Sequence, residues 1–285
     1  MTGKKIVTVA ARREAVPLLV AQGLSQRRAC VLLQLQRSTF GYQARPESNT
    51  ELTTQVAELA RRHPRYGYRR VWALLRRRGQ QVNKKHVHRL WKRAKLQVRK
   101  VTRRRLARRA MIPVQASHPG HVWTYDFLHD RCLNGTPLKV LTVMDEFTRE
   151  GLAIEAATSL PSARVLAVLE RLVTLHGTPQ FIRSDQGPEC IALAIRGWLA
   201  QHRTRTLYID PGCPWQNGYG ERFNGTVRDE CLHRHVLHSV AEARVTLAAY
   251  RRQYNEERPH SSLRYQTPAE FKRDRLERSS LPGGL

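Results

Sequence analysis

Val122-Trp123-Thr124-Tyr125-Asp126-Phe127 alternates bulky apolar and polar side chains, the period-two pattern of a strand, and the reading closes it at an aspartate. Leu138-Lys139-Val140-Leu141-Thr142-Val143-Met144 is a second, β-branched run, and the Asn134-Gly135 pair between them is a strong hairpin signal. Gly151–Ala156 reads as a third strand that completes an antiparallel meander. The period then changes. Ser162–His176 places Val165, Leu166, Leu169, Leu172 and Val173 on one helical face, with Gly177 just beyond its end. Gln180–Arg183 reads as a short strand running into Ser184-Asp185-Gln186-Gly187. A helix (Ile191–His202), a strand (Thr206–Ile209), a Pro- and Gly-rich loop (Asp210–Gly220) and a helix from about Gly218 to Leu232 follow. That order predicts a mixed-sheet α/β domain.

Upstream of this domain the composition is different. Residues 1–120 hold 29 of the 50 Lys and Arg but only 4 of the 23 Asp and Glu, so the formal charge of +27 is confined almost wholly to that part of the 285-residue chain. A confined positive field reads as a polyanion-binding module joined to a near-neutral domain. Nucleic acid is the natural partner, because each neutralised phosphate releases condensed counterions. No apolar run approaches the ~18–20 residues of a membrane span, and Ile6–Ala11 is too short for a signal-peptide core. A cytoplasmic protein with no membrane partner is expected. The five cysteines are scattered and form no C-x-x-C, which argues against a disulfide framework or a zinc ribbon.

The basic part subdivides. In residues 1–46, a first apolar helix ends at Gly23, Ser25 caps a second (Gln26–Leu33), and a third starts near Ser38, the outline of a helix-turn-helix or of any small helical bundle. Arg45–Asn49 is a polar linker. Residues 50–110 begin with a helix (Glu51–Arg62), break at His63-Pro64, and continue with Tyr66–Arg78 and a last helix capped by Asn83, whose stripe is Val87, Leu90, Trp91 and Leu96. Arg69, Arg70, Arg76, Arg77, Arg78, Lys84, Lys85, Arg89, Lys92 and Arg93 fall largely off the apolar stripes, with almost no anions among them, and are expected to meet DNA phosphate. Arg99–Arg109, with Arg103, Arg104 and Arg105, is a polybasic connector to a domain expected over residues 118–285.

Carboxylates are sparse in that domain, yet Asp126 and Asp185 fall at expected strand ends and Glu221 near the start of a helix. Three converging carboxylates would make an oxygen-only site for Mg²⁺ or Mn²⁺. Two such ions suit in-line displacement at a phosphodiester. Taken singly, each residue reads equally well as a turn former, a helix cap or a surface group.

The flanking words decide the matter. Thirty-five residues separate Asp185 from Glu221. With Trp123–Phe127, Arg183-Ser184-Asp185-Gln186-Gly187-Pro188-Glu189 and Pro214-Trp215-Gln216-Asn217-Gly218-Tyr219-Gly220-Glu221-Arg222-Phe223-Asn224-Gly225, the chain closely resembles the D,D(35)E integrase core of bacterial insertion-sequence transposases, in particular the OrfB-type downstream frame. The resemblance extends through Tyr254–Leu263 and Thr267–Phe271, and upstream through His63–Arg70 and Val82–Leu90, which resemble the helix-turn-helix segment preceding such cores.

That resemblance implies an RNase H-like five-stranded mixed sheet with flanking helices, preceded by an all-α basic DNA-binding region. It implies Asp126, Asp185 and Glu221 as the catalytic triad holding two Mg²⁺ (or Mn²⁺) ions, and, as DNA contacts, Arg228 seven residues after the glutamate and Asn224 between them. Arg258 and His260 are further candidates to approach DNA. The implied activity is cleavage of element ends and transfer of the 3′-OH into target DNA by a nucleoid-associated bacterial protein. Its implied partners are double-stranded DNA, further copies of the chain, and an upstream-frame protein or frameshift fusion. Gly220, Arg222 and Cys190 depart from the family pattern, and Gly220 is expected to slacken its helix by up to ~1 kcal/mol relative to Ala. The rival from another class is a DNA-binding regulator with an inactive core. Two minor alternatives are a His86-Val87-His88 nuclease, which needs that pair on a strand, and a zinc site at Cys231, His233, His235 and His238, whose spacing does not share one helix face.

Overall fold

A computed structural model describes residues 8–43, 50–97, 114–184, 193–209 and 214–280. The chain divides into two compact units, Met1–Leu52 and Thr53–Leu285. In the first, α1 (Val9–Ala21), α2 (Gln26–Leu32) and α3 (Arg37–Gly41) close on Val16, Ala29, Cys30 and Leu35. Thr8 caps α1 and Ser25 caps α2, each accepting a backbone N–H three residues on.

Helix α4 (Thr50–Arg62) runs across the boundary, and α5 (Tyr68–Arg77) and α6 (Lys84–Arg93) follow in the second unit. Gly79, at φ +80°, stops α5, and the Asn83 side chain caps α6 by accepting from the Lys85 N–H at 2.8 Å. Val71, Ala73 and Leu75 of α5 are buried, as are Val87, Leu90 and Trp91 of α6. The Trp72 indole N–H donates to the Val82 carbonyl at 2.9 Å and ties the intervening turn to α5. His86-Val87-His88 therefore lies on a helix, where His88 stacks on Tyr68 at 4.1 Å, and not on a strand.

The sheet order is β3-β2-β1-β4-β5. The meander of β1 (Val122–Arg131), β2 (Pro137–Asp145) and β3 (Gly151–Ala157) is antiparallel, while β4 (Phe181–Ser184) runs parallel to β1 and β5 (Arg205–Tyr208) parallel to β4. Gly135, at φ +81°, makes the β1–β2 turn and sets a register that puts Asp126 opposite Thr142. One sheet face packs Trp123, Tyr125, Leu141 and Val143 against α7 (Ser162–His176) and α8 (Leu193–Gln201). The other packs Leu128, Val140 and Ile154 against α9 (Gly218–Glu230) and α10 (Val240–Glu256). A last helix, α11 (Pro268–Ser280), follows. At the outer edge, α10 sends Arg244 Nε to the Ala156 carbonyl (2.8 Å) and Arg251 Nη1 to the Leu152 carbonyl (3.3 Å) of β3.

The strand expected to stop at Asp126 instead continues to Arg131, because Leu128 keeps the alternation and finds cover under α9 and α10. Asp126 thus sits mid-strand. Neither α10 nor α11 is among the elements expected from the sequence, although Ala243, Leu247, Tyr250 and Tyr254 form one buried stripe along α10.

Candidate active site at β1 and α9

Alternation along β1 puts Thr124, Asp126 and Leu128 on the α9 face of the sheet. α9 approaches that face closely because two glycines let it. A Cβ on Gly151, at the start of β3, would come within 2.8 Å of the Phe223 ring. A Cβ on Gly220 would come within 2.7 Å of Asn217 Oδ1. The space beside Gly220 belongs to the buried Asn217 side chain, which accepts from the Thr124 hydroxyl at 2.7 Å. Gly220, expected to loosen the helix start, instead fits that start to β1.

One turn further along α9, Asn224, expected as a DNA contact, is instead buried, and both ends of its amide are bonded within the protein. Its Nδ2 donates to Asp126 Oδ2 at 2.8 Å, and its Oδ1 accepts from the Thr142 hydroxyl at 2.6 Å. The same hydroxyl lies 3.2 Å from the Asp126 carbonyl oxygen. The Phe127 N–H donates to Asp126 Oδ1 at 2.7 Å. The two carboxylate oxygens of Asp126 are thus oriented from two sides, Oδ2 by Asn224 and Oδ1 by the backbone. Glu221 lies three residues before Asn224 on the exposed side of the first turn of α9, and Arg228 is exposed one further turn on. Asp126 and the helix bearing Glu221 are therefore bonded to one another through Asn224. Asp185 lies outside the described residues, as do Cys190 and Arg103–Arg105; Ser184, the residue before Asp185, ends the described part of β4 beside β1.

Sequence reading missed the residues that brace this arrangement. Arg183, two positions before Asp185, is buried; its Nε donates to Glu146 at 2.7 Å, Nη1 to the Gln216 carbonyl and Nη2 to the Val114 carbonyl. It joins β4 to the turn that launches α9. Burial pushes the Glu146 carboxyl upward, opposed by the Arg183 charge. Asn134-Gly135 taken as a two-residue turn would put Val143 opposite Asp126; the turn has three residues between the paired Cys132 and Thr136, with Gly135 left-handed, and that extra residue brings Thr142 to Asp126.

The expected DNA-binding cations separate. Arg69, Arg76, Lys84, Lys85, Arg89, Lys92 and Arg93 are exposed on α5 and α6. Arg76 and Lys84 both lie over the Trp72 ring, at 6.0 and 5.6 Å. Arg70 is different: its Nη1 is 3.2 Å from Glu230 Oε1, at the end of α9. Arg258 and His260, 5% and 7% exposed, face inward, and Arg258 holds Glu230 through two 2.7 Å bonds. Their inward, paired placement does not suit the phosphate contacts expected of them. Burial pushes the Cys231 thiol up to about 12, and among the described residues no group of three or more His, Cys, Asp or Glu could hold a metal. Among those residues, too, no helix is long and apolar enough to cross a membrane.

The sheet and the bracing of its middle-strand aspartate by a glutamate-bearing helix define an RNase H-like core of the integrase class. Known proteins carry the identification further. An integrase core domain family matches residues 116–214, another of the same description matches 202–268, and an HTH-like domain matches 47–105. The chain is 40% identical over 250 residues to an uncharacterized 31.7 kDa protein of insertion element IS407 from Burkholderia multivorans, covering 87% of this chain and 90% of that one. It is 40% identical over 263 residues to a 39.2 kDa protein of insertion element IS476 from Xanthomonas euvesicatoria, covering 91% and 76%. A transposase, InsK of element IS150 from Escherichia coli, is 25% identical over 84% of this chain and 90% of its own. Among solved structures, a simian T-cell lymphotropic virus intasome in complex with a PP2A regulatory subunit aligns with a TM-score of 0.51 at 17% identity, over 76% of this chain and 74% of that one, a likeness of fold. The chain belongs to the insertion-sequence transposases with an integrase catalytic core, enzymes of the DDE polynucleotidyl transferase type that carry out DNA transposition.

Proposed function

We propose that this transposase cuts the ends of its own element and joins the freed 3′-OH to target DNA, using Asp126, Asp185 and Glu221 as its metal-binding residues. The observation that carries the reading is the pair of hydrogen bonds of Asn224, one to Asp126 and one from Thr142, which ties the Glu221 helix to β1 and β2. The donors are carboxylate oxygens and suit Mg²⁺ or Mn²⁺, not zinc. When bound, a pair of such ions lowers the cost of ionising an attacking hydroxyl and of releasing a 3′-oxygen. The protein holds Asp126 in one orientation through Asn224 and the Phe127 N–H, and presents Arg228 on the exposed side of α9 to a phosphate. The exposed cations of α5 and α6 supply sequence-tolerant affinity for double-stranded DNA. Work on paired ends implies two or more copies of the chain. An upstream-frame protein, or its frameshift fusion, and association with the bacterial nucleoid belong to the same reading.

A supercoiled plasmid carrying the element's ends tests it. Mg²⁺-dependent nicking and joining are expected from the wild type and from neither Asp126→Asn nor Asp185→Asn, with end binding kept. Binding without any metal-dependent strand breakage would support the rival reading, a DNA-binding regulator with an inactive core. A covalent protein–DNA adduct would oppose the two-metal route, which forms none.

A further inference from the structure

The arginines of α5 fall into two pairs, each seven residues apart and so each on one helix face. Arg69 and Arg76 are exposed beside Tyr68 and Trp72, and Arg69 also reaches the Tyr265 side chain from its exposed position. Arg70 and Arg77 face the catalytic core. Arg70 reaches Glu230, the last residue of α9. Arg77 pairs with Glu270 of α11, and its Nη1 and Nη2 lie 3.3 and 3.5 Å from the carbonyls of Glu257 and Tyr265. Between these anchors, Trp72 meets Tyr265 edge-on at 5.9 Å.

Glu230 is the centre of the seam. A carboxylate at a helix C-terminus, 9% exposed, opposes the helix dipole and needs compensation. It receives two bonds from Arg258 and one from Arg70, and the Tyr250 hydroxyl lies 3.4 Å away. The two arginines in turn lie over the buried Tyr66 ring, Arg70 at 5.2 Å and Arg258 at 5.9 Å. Nearby, Arg65 pairs with Asp229, and Arg234 donates to the Arg62 carbonyl. The N-terminal turn of α5 is thus held to the far end of the helix whose first turn bears Glu221.

We propose that Arg70 and Arg77 form a docking seam that fixes the helical module to α9 and α11, so that the distance between bound end sequence and cut phosphate is set by Glu230 and Glu270. The proposal rests on the function above for its second half only; the seam itself is independent of catalysis. It assigns Arg70 and Arg77 a positioning role and leaves Arg69 and Arg76 to the DNA.

Two double variants, which keep the aliphatic stems, test this: Arg70→Met with Arg77→Met, and Arg69→Met with Arg76→Met. The inner pair is expected to leave end-DNA affinity within about twofold and its salt dependence unchanged, and to scatter cuts over neighbouring phosphates. The outer pair is expected to lower the slope of log affinity against log salt by about 1.8, at ~0.9 per lost phosphate contact, and to keep the cut in register. Hydrogen exchange supplies a readout that needs no catalysis: in the inner variant, amides at the end of α9 should exchange at least tenfold faster, while those of β1 and β2 stay protected. Arg70→Lys with Arg77→Lys should restore both the register and the protection. A salt slope that falls for the inner pair, with α9 exchange unchanged, overturns the seam. A wild type that never cuts, combined with the expected exchange change, would sink the proposed function and keep the seam.

Discussion

Replacing Asn224 with leucine should separate a metal-site role from a DNA-binding one. The substitution keeps the branching and heavy-atom count of the side chain, though two methyl groups are bulkier than the amide, and removes two bonds: a charge-assisted one to Asp126 Oδ2 at 2.8 Å and a neutral one from Thr142 at 2.6 Å. Bonds to charged groups contribute ~1.5–3 kcal/mol and neutral ones ~1 kcal/mol, so the folded state should lose about 2–4 kcal/mol, visible as a lower urea midpoint with an unchanged slope. Thr142 softens that loss, because its hydroxyl still lies 3.2 Å from the Asp126 carbonyl. The larger effect should fall on metal use. Groups that orient a metal-binding side chain typically change affinity or activity by ~10–100-fold. Titrating Mg²⁺ in a nicking assay on end-containing DNA should show half-saturation moved upward by about that factor, with DNA affinity at fixed salt unchanged. If affinity and its salt slope fell while the Mg²⁺ dependence stayed put, Asn224 would be a DNA contact and the bracing argument would be wrong.

Gly220→Ala should destabilise by about 1–2 kcal/mol in denaturant unfolding, although alanine is the better helix former by ~1 kcal/mol, because the new Cβ displaces Asn217 and breaks its bond to Thr124; a more stable variant would contradict this. Acid should weaken the second unit through two buried histidines. Burial, reinforced by Arg62 and Arg234, holds His63 down to about 4, and burial beside Arg258 and Arg70 also lowers His260. Both stay neutral when folded, while the unfolded chain takes up protons near 6.5. This contribution is therefore complete above pH 6.5 and lost as pH falls toward 4. For His63 alone the loss at pH 5 is about 2 kcal/mol. His63→Phe should flatten the dependence between pH 7.5 and 5, and an unchanged slope would count against it.

The sheet could be read from the sequence because its signals are local. Asn134-Gly135 fixes the hairpin, and the alternation Trp123/Tyr125 against Thr124/Asp126 tells which face receives α9. What escaped is decided by partners far along the chain. Nothing near Arg70 shows that an acid 160 residues away will take its charge, so the whole basic run read as one DNA-facing surface. Arg258 and His260 misled for the same reason: polar residues in a motif suggest a ligand, whereas here they are spent on the end of α9. Gly220 was judged by helix propensity, a local quantity, while its requirement comes from Asn217 and β1. Arg183 shows the limit from the other side: adjacency to Asp185 marked the segment, but its bonds to Glu146, Gln216 and Val114 span three separate stretches.

The two guanidinium groups that α10 lays along β3 bear on how copies of this enzyme can gather. An open sheet margin invites another chain to add a strand. With the carbonyls of Leu152 and Ala156 already occupied, that margin is closed to ladder growth at those two rungs.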